Sequence, residues 1–138
     1  MATETKTLEG GCFCGHVRYA ADGGPYNATS CHCSICRRLS GAAFVTWFSV
    51  PVASFRFVNN EPTTLASSEH GRRTFCPRCG TPLTFRSERA PEEVDVTTCS
   101  LDDPSALPPQ DHTQVGSMLP WVRLCDGLPA FAGPREGA

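Results

Sequence analysis

Long apolar runs are missing from this sequence. No stretch approaches the roughly 20 residues that span a bilayer, and the opening Met1-Ala2-Thr3-Glu4-Thr5-Lys6 has no apolar core of the signal-peptide kind. These absences predict a cytoplasmic protein with no membrane partner, whose thiols stay reduced. An excess of positive charge is missing too: 12 Lys and Arg face 14 Asp and Glu, for a formal net charge of −2. That balance offers phosphate backbones no general attraction, so no nucleic-acid partner is expected. No repeat, low-complexity tract or linker divides the 138 residues, which therefore read as one domain. Helix-forming vocabulary is thin. With 12 Gly, 12 Pro and only short apolar segments, the chain favours short strands joined by turns. Such a chain needs something besides its core to fix the fold.

Cysteine is abundant. Nine are present, and in a reducing compartment metal explains them better than disulfides do. Around them, residues 1–7 and 132–138 read as loose polar tails. His16-Val17-Arg18-Tyr19-Ala20 alternates with period two, the mark of a half-buried strand. The apolar and β-branched segment 42–50, closed by Pro51, predicts another, and Phe55-Arg56-Phe57-Val58 alternates again. Further strands are expected at 63–67, 72–76, 82–86 and 94–99. One short helix is expected over Ser34 to Leu39, ended by Ser40-Gly41. A second helical turn is expected to start at Asp102-Asp103-Pro104, with the aspartates as cap. The fold class is all-β with one or two helical turns.

Two cysteine pairs lie far apart in the chain, Cys12-Phe13-Cys14-Gly15 and Cys76-Pro77-Arg78-Cys79-Gly80. The second is a zinc-knuckle pattern. Two intervening residues let the chain wrap one ion, and a glycine at positive φ lets backbone N–H groups point at the sulfurs. In the first pair, positions i and i+2 on an extended segment share a face. Together the pairs supply four sulfurs, a closed tetrahedral site whose role is structural. Cys31-His32-Cys33-Ser34-Ile35-Cys36 is a different set. Three thiols converge where a strand turns into a helix, and three protein ligands with one open position form the catalytic pattern for zinc. Candidates to close that position are Cys99, Cys125, His32, His16, His70 and His112, with His32 expected to point away. Two loaded sites would bring the net charge to about −5, because cysteines bind as thiolates.

The segments Gly11-Cys12-Phe13-Cys14-Gly15, Ser30-Cys31-His32-Cys33-Ser34-Ile35-Cys36-Arg37-Arg38 and Phe75-Cys76-Pro77-Arg78-Cys79-Gly80 resemble the glutathione-dependent formaldehyde-activating enzymes. That family also includes the centromere protein V-like proteins. Ser40-Gly41, Ser100-Leu101-Asp102-Asp103-Pro104, His112, Trp121 and Leu128-Pro129 fit the same pattern, which covers residues 8–131. The resemblance implies small antiparallel sheets in a β-tent arrangement. It implies two zinc ions: a structural one on Cys12, Cys14, Cys76 and Cys79, and a catalytic one on Cys31, Cys33 and Cys36. It further implies a carbon–sulfur lyase that forms or breaks S-hydroxymethylglutathione, with a glutathione-like thiol and an aldehyde as partners. The other reading is a non-enzymatic zinc module for a protein or nucleic-acid partner. Two features depart from the pattern. Cys99 stands where a small residue is usual, and is expected to pack in the core. Residues 112–121 contain no basic residue between their conserved-looking ends. Nearby, Arg37, Arg38, Arg72 and Arg73 are candidates to hold ligand carboxylates. Phe44, Trp47 and Phe48 are read as core more than pocket lining, and His112 as a satisfied structural histidine more than a proton shuttle.

Overall fold

Period-two alternation builds the centre of the protein. In Trp47-Phe48-Ser49-Val50 and Val94-Asp95-Val96-Thr97, every second side chain is apolar, so each strand offers an oily face and a more polar one. The computed structural model describes residues 7–135. In order they form β1 (Leu8–Gly11), β2 (Arg18–Ala21), β3 (Tyr26–Cys31), α1 (Ser34–Ser40) and β4 (Val45–Pro51). There follow β5 (Phe55–Phe57), β6 (Thr63–Ala66), β7 (Gly71–Phe75), β8 (Pro82–Ser87), β9 (Glu93–Thr97) and β10 (Asp111–Thr113). None of the described helices is long and apolar enough to cross a membrane.

The strands make two sheets, ordered β1-β2-β5 and β10-β3-β4-β9-β8-β7-β6. All pairings between strands are antiparallel except β10 with β3, where His112 lies beside Ser30 and Thr113 beside Cys31. The expectation of small antiparallel sheets thus meets one parallel pair. A long return from β9 brings residues 111–113 alongside the cysteine trio in the same direction as β3. Between the sheets, Tyr19, Ala21, Phe48, Val50, Leu83, Val94 and Val96 form the core with Val17, Cys12 and Cys76. Phe48 faces Val96, and Val50 faces Val94, across the β4–β9 ladder. Phe48 is fully buried. Phe48→Ala is therefore expected to destabilise the metal-loaded protein by about 3–5 kcal/mol, read from denaturant unfolding.

The opposite face of the large sheet carries different chemistry. The registers place Ser49 of β4, Asp95 of β9, Phe85 of β8, Arg73 of β7 and Leu65 of β6 in one row. Across β4 that row meets Tyr26 at the start of β3, and it reaches the trio through Arg73, which donates to Cys36 Sγ.

Strand boundaries shift where turns claim residues. The strand expected at 16–20 starts at Arg18, because the Cys12 N–H donates to the Val17 carbonyl and closes a turn over residues 12–17. The strand expected from residue 42 starts at Val45, beyond Gly41 at φ 68°. α1 extends to Ser40, whose hydroxyl bonds the Cys36 carbonyl at 2.7 Å. The second turn forms as a short 3-10 helix at Pro104–Ala106 without a side-chain cap. Asp102 instead makes a two-pronged ion pair with Arg18, while the Asp103 carboxylate accepts from the Ser105 hydroxyl. Residues 132–135, inside the segment expected as a tail, are bonded to the body. The Gln114 and Gly116 N–H groups donate to the Gly133 and Ala132 carbonyls. Arg135 pairs with buried Asp111 at 2.5 Å. Residues 1–6 and 136–138 of the expected tails lie outside the described residues.

Candidate metal centres

Gly15 at φ 81° and Gly80 at φ 82° close two similar turns, one after each cysteine pair. The left-handed conformation that glycine allows folds the chain back so that N–H groups face sulfur. The Arg78 and Cys79 N–H groups donate to Cys76 Sγ at 3.3 and 3.4 Å. The Val17 N–H donates to Cys12 Sγ at 3.3 Å. The first pair lies in a turn, not on the extended segment expected from its spacing, because Gly15 donates back to the Cys12 carbonyl. Cys12 and Cys14 sulfurs are 3.6 Å apart, and those of Cys14 and Cys76 are 3.7 Å apart. All four sulfurs, Cys79 included, lie within 4.8 Å of one another. Four soft donors in a tight cluster, stabilised as anions by backbone N–H groups, suit a tetrahedral ion.

The second set lies at the junction of β3 and α1. Cys33 is the N-cap of α1, and its sulfur accepts the Cys36 N–H at 3.2 Å. One helical turn then returns Cys36 to the side of Cys31 and Cys33, and the three sulfurs lie within 4.8 Å of one another. Their ionisation is shared. Hydrogen bonds from Cys31 and Cys36 lower Cys33 to about 2, while bonding to Cys33 and Cys36, together with burial, pushes Cys31 far up. One thiolate forms easily here; two or three need a cation beside them.

Among the described residues, no histidine, carboxylate or further cysteine joins either cluster. Cys99 and Cys125 are exposed and outside both. The expectation that Cys99 packs in the core is corrected: its short 3-10 turn, Thr98–Ser100, buries Thr98 instead. His70 lies near Glu69 and Glu88, and His16 joins neither cluster. His32 turns away as expected. It is fully buried, with its ring centroid 4.7 Å from that of Phe44, and its Nε2 lies 3.0 Å from His112 Nδ1. His112 Nε2 in turn lies 2.7 Å from Asp126. That hydrogen bond holds the Asp126 carboxyl below its ordinary value. With Asp126 ionised, His112 donates to it from Nε2 and accepts from His32 Nε2–H. Burial, with His112 beside it, lowers His32 below its ordinary value and so favours the neutral ring. This chain braces the segment between Cys31 and Cys33 from behind, the structural reading of His112.

In front of the trio opens a cleft of about 480 Å3, within the usual range for small-molecule sites. Trp47, Ser49, Arg73, Phe85, Asp95 and Arg135 line it. Arg73 is the cation nearest the sulfurs. It donates to Cys36 Sγ at 3.5 Å and packs over the Trp47 and Phe85 rings at 5.4 and 5.0 Å. Strand alternation sends its neighbour Arg72 the other way, to Glu88. Arg37 and Arg38 are also elsewhere, in the last turn of α1 beside a shallow groove with Trp121. Of the expected aromatics, Trp47 reaches the cleft, Phe48 is core and Phe44 lies against His32. Sequence reading missed Asp95 and Arg135. An acidic residue between two strand valines was the available signal for Asp95. Nothing local marks Arg135. A hollow of about 580 Å3 opens between the sheets over Phe55 and Phe57, but it holds no cysteine. The cysteine trio opens onto the smaller cleft.

A family model described as glutathione-dependent formaldehyde-activating enzyme matches residues 7–117. A Halomonas elongata protein, provisionally named a glutathione-dependent formaldehyde-activating enzyme, is 30% identical over 126 residues. That match covers 85% of this chain and 80% of the relative. A Rhodobacter sphaeroides protein of known crystal structure shares the fold, with a TM-score of 0.58 at 22% identity. It is matched over 98% of its length and 89% of this chain. The chain belongs to the glutathione-dependent formaldehyde-activating enzyme family.

Proposed function

We propose that this protein is a zinc-dependent carbon–sulfur lyase of the cytoplasm, joining a small thiol such as glutathione to formaldehyde or a similar aldehyde, and parting them again. The observation that carries the reading is the cysteine trio with three sulfur donors, no fourth among the described residues, and a cleft in front. Residues 8–131, with 132–135 bonded to them, form the working domain. Cys12, Cys14, Cys76 and Cys79 hold a structural zinc, and Cys31, Cys33 and Cys36 hold the catalytic one. Both donor sets fit: all are thiols, and the sulfurs cluster closely enough to share one ion.

Zinc supplies one thing here, the conversion of an entering thiol to its thiolate at neutral pH. A free thiol, with a pKa near 8.5, is otherwise only a few per cent ionised. The protein's own groups do the rest. Arg73, held by two aromatic rings, offsets the negative charge of the sulfurs and favours a second anion in the cleft. Trp47 and Phe85 present apolar walls that narrow the approach and exclude water. Addition of thiols to formaldehyde is easy without help, so orientation and activation suffice.

The test combines metal analysis with magnetisation-exchange NMR on glutathione and formaldehyde mixtures. Two zinc ions per chain, and exchange faster than the protein-free mixture at micromolar protein, are expected. Exchange equal to the uncatalysed rate for glutathione and other small thiols would remove the enzyme reading.

A further inference from the structure

Thiol addition to an aldehyde moves a proton as well as forming a bond. The thiol loses a proton on entry, and the oxygen of the former carbonyl gains one. The trio cannot hold that proton while its sulfurs bind a cation, and a protein group lining the cleft can carry it faster than solvent.

From the geometry of the cleft we infer that Asp95 is this proton-transfer group, accepting the thiol proton and delivering it to the aldehyde oxygen. The inference rests on the thiol–aldehyde reading above. Four observations place Asp95 in the role. It stands in the row Ser49–Asp95–Phe85–Arg73, whose far end donates to Cys36 Sγ. Its carboxyl lines the same cleft as Cys31, Cys33 and Cys36. The Ser49 hydroxyl donates to Oδ1 at 2.6 Å and fixes the side chain's orientation. Oδ2 has no hydrogen-bond partner among the described residues and is left for a ligand. The surroundings suit the task. Burial, with Glu93 nearby, raises the carboxyl to about 6, against the pull of the Ser49 hydrogen bond and of Arg73. Groups facing it are Arg73 from β7, Glu93 on its own strand with Tyr26 of β3 bonded to it, and Arg135 from the C-terminal segment. An acid–base group is most effective when its pKa lies near the working pH.

The step balances. The thiol S–H proton passes to the Asp95 carboxylate. The thiolate electron pair forms the C–S bond as the C=O π pair moves to oxygen, and the Asp95 carboxylic acid returns the proton to that oxygen. Thiol and aldehyde become the hydroxymethyl thioether, and Asp95 ends as it began.

Asp95→Asn keeps the shape and the Ser49 contact while removing proton exchange. Zinc content is expected to stay at two per chain, and thiol–aldehyde exchange at pH 7 to fall at least about 100-fold. The acid limb of the pH–rate profile near 6 should vanish with it. Exchange within threefold of wild type, with the limb intact, overturns the inference. Two readouts do not need turnover. With its folded pKa above the unfolded value, Asp95 favours the fold when protonated. That contribution is complete below about pH 4 and is lost as pH rises through about 6. The zinc-loaded Asp95→Asn protein should therefore melt above wild type at pH 7, with the difference shrinking between pH 6 and 4. A variant that melts below wild type at pH 7 counts against the role. Second, the 13C carboxyl resonance of Asp95 in the zinc-loaded wild type should titrate near 6, with a midpoint that moves when glutathione is added. An unmoved midpoint overturns this inference even if the enzyme is active. Absent turnover in the wild type, with a moved midpoint, overturns only the formaldehyde reading.

Discussion

Cys33→Ser is expected to purify with one zinc per chain instead of two and to lose thiol–aldehyde exchange by at least about 100-fold. The size follows from deleting a direct ligand, since even the outer partners of ligands cost 10–100-fold. The substitution is informative because Cys33 has two roles. As N-cap of α1 it accepts the Cys36 N–H at 3.2 Å, and serine caps helices well. The helix therefore survives while the thiolate is lost. The melting temperature should fall by only a few degrees, because the trio lies at the cleft and not between the sheets. Elemental analysis, NMR exchange and a thermal melt on one sample separate these effects. Two zinc ions in the variant, with activity retained, would leave the trio without the assigned chemistry.

Cys76→Ser should do the opposite, destroying stability more than it alters any single chemical step. Cys76 is fully buried, belongs to the core cluster and accepts N–H groups from Arg78 and Cys79. Its cluster ties the turn after β1 to the turn between β7 and β8, and so ties the small sheet to the large one. Without the fourth thiolate, three sulfurs would face one another across a weakened site at the edge of the core. A loss on the order of 5 kcal/mol is expected, since structural zinc binding free energy is folding free energy. For a chain of this length that lowers the melting temperature by roughly 15–20 °C. Circular dichroism melts of the zinc-loaded variant check it. A drop of less than 5 °C would show that the cluster does not hold the sheets together.

The trio and each cysteine pair were legible before any fold, because their spacing is local, whereas the joining of Cys12 and Cys14 to Cys76 and Cys79 is a long-range contact made by the fold. The knuckle Cys76-Pro77-Arg78-Cys79-Gly80 closes on itself within five residues, and its glycine adopts the positive φ that the turn needs. The trio is as local, confined to the end of β3 and the first turn of α1. The strands at β2 and β5 were legible through alternation, and β4 through its apolar, β-branched run closed by Pro51. Asp111–Thr113 was not, since three residues carry no period and their pairing with β3 is decided by a long return. Cys99 was misjudged because cysteine is often buried, while its own turn leaves it exposed.

Residue order by itself determined the all-β class, the cysteine trio, each cysteine pair and the family, since each rests on contacts within a few residues or on motifs in series. Only the tertiary structure decided which arginine faces the trio, that Asp95 and Arg135 share its cleft, and that His32 belongs to a bracing chain with His112 and Asp126. Arg73 and Asp95 are placed by strand register, and Arg135, His32 and Asp126 by long-range contacts. A one-residue slip exchanges the faces of Arg72 and Arg73, and of Asp95 and Val96, without altering any motif.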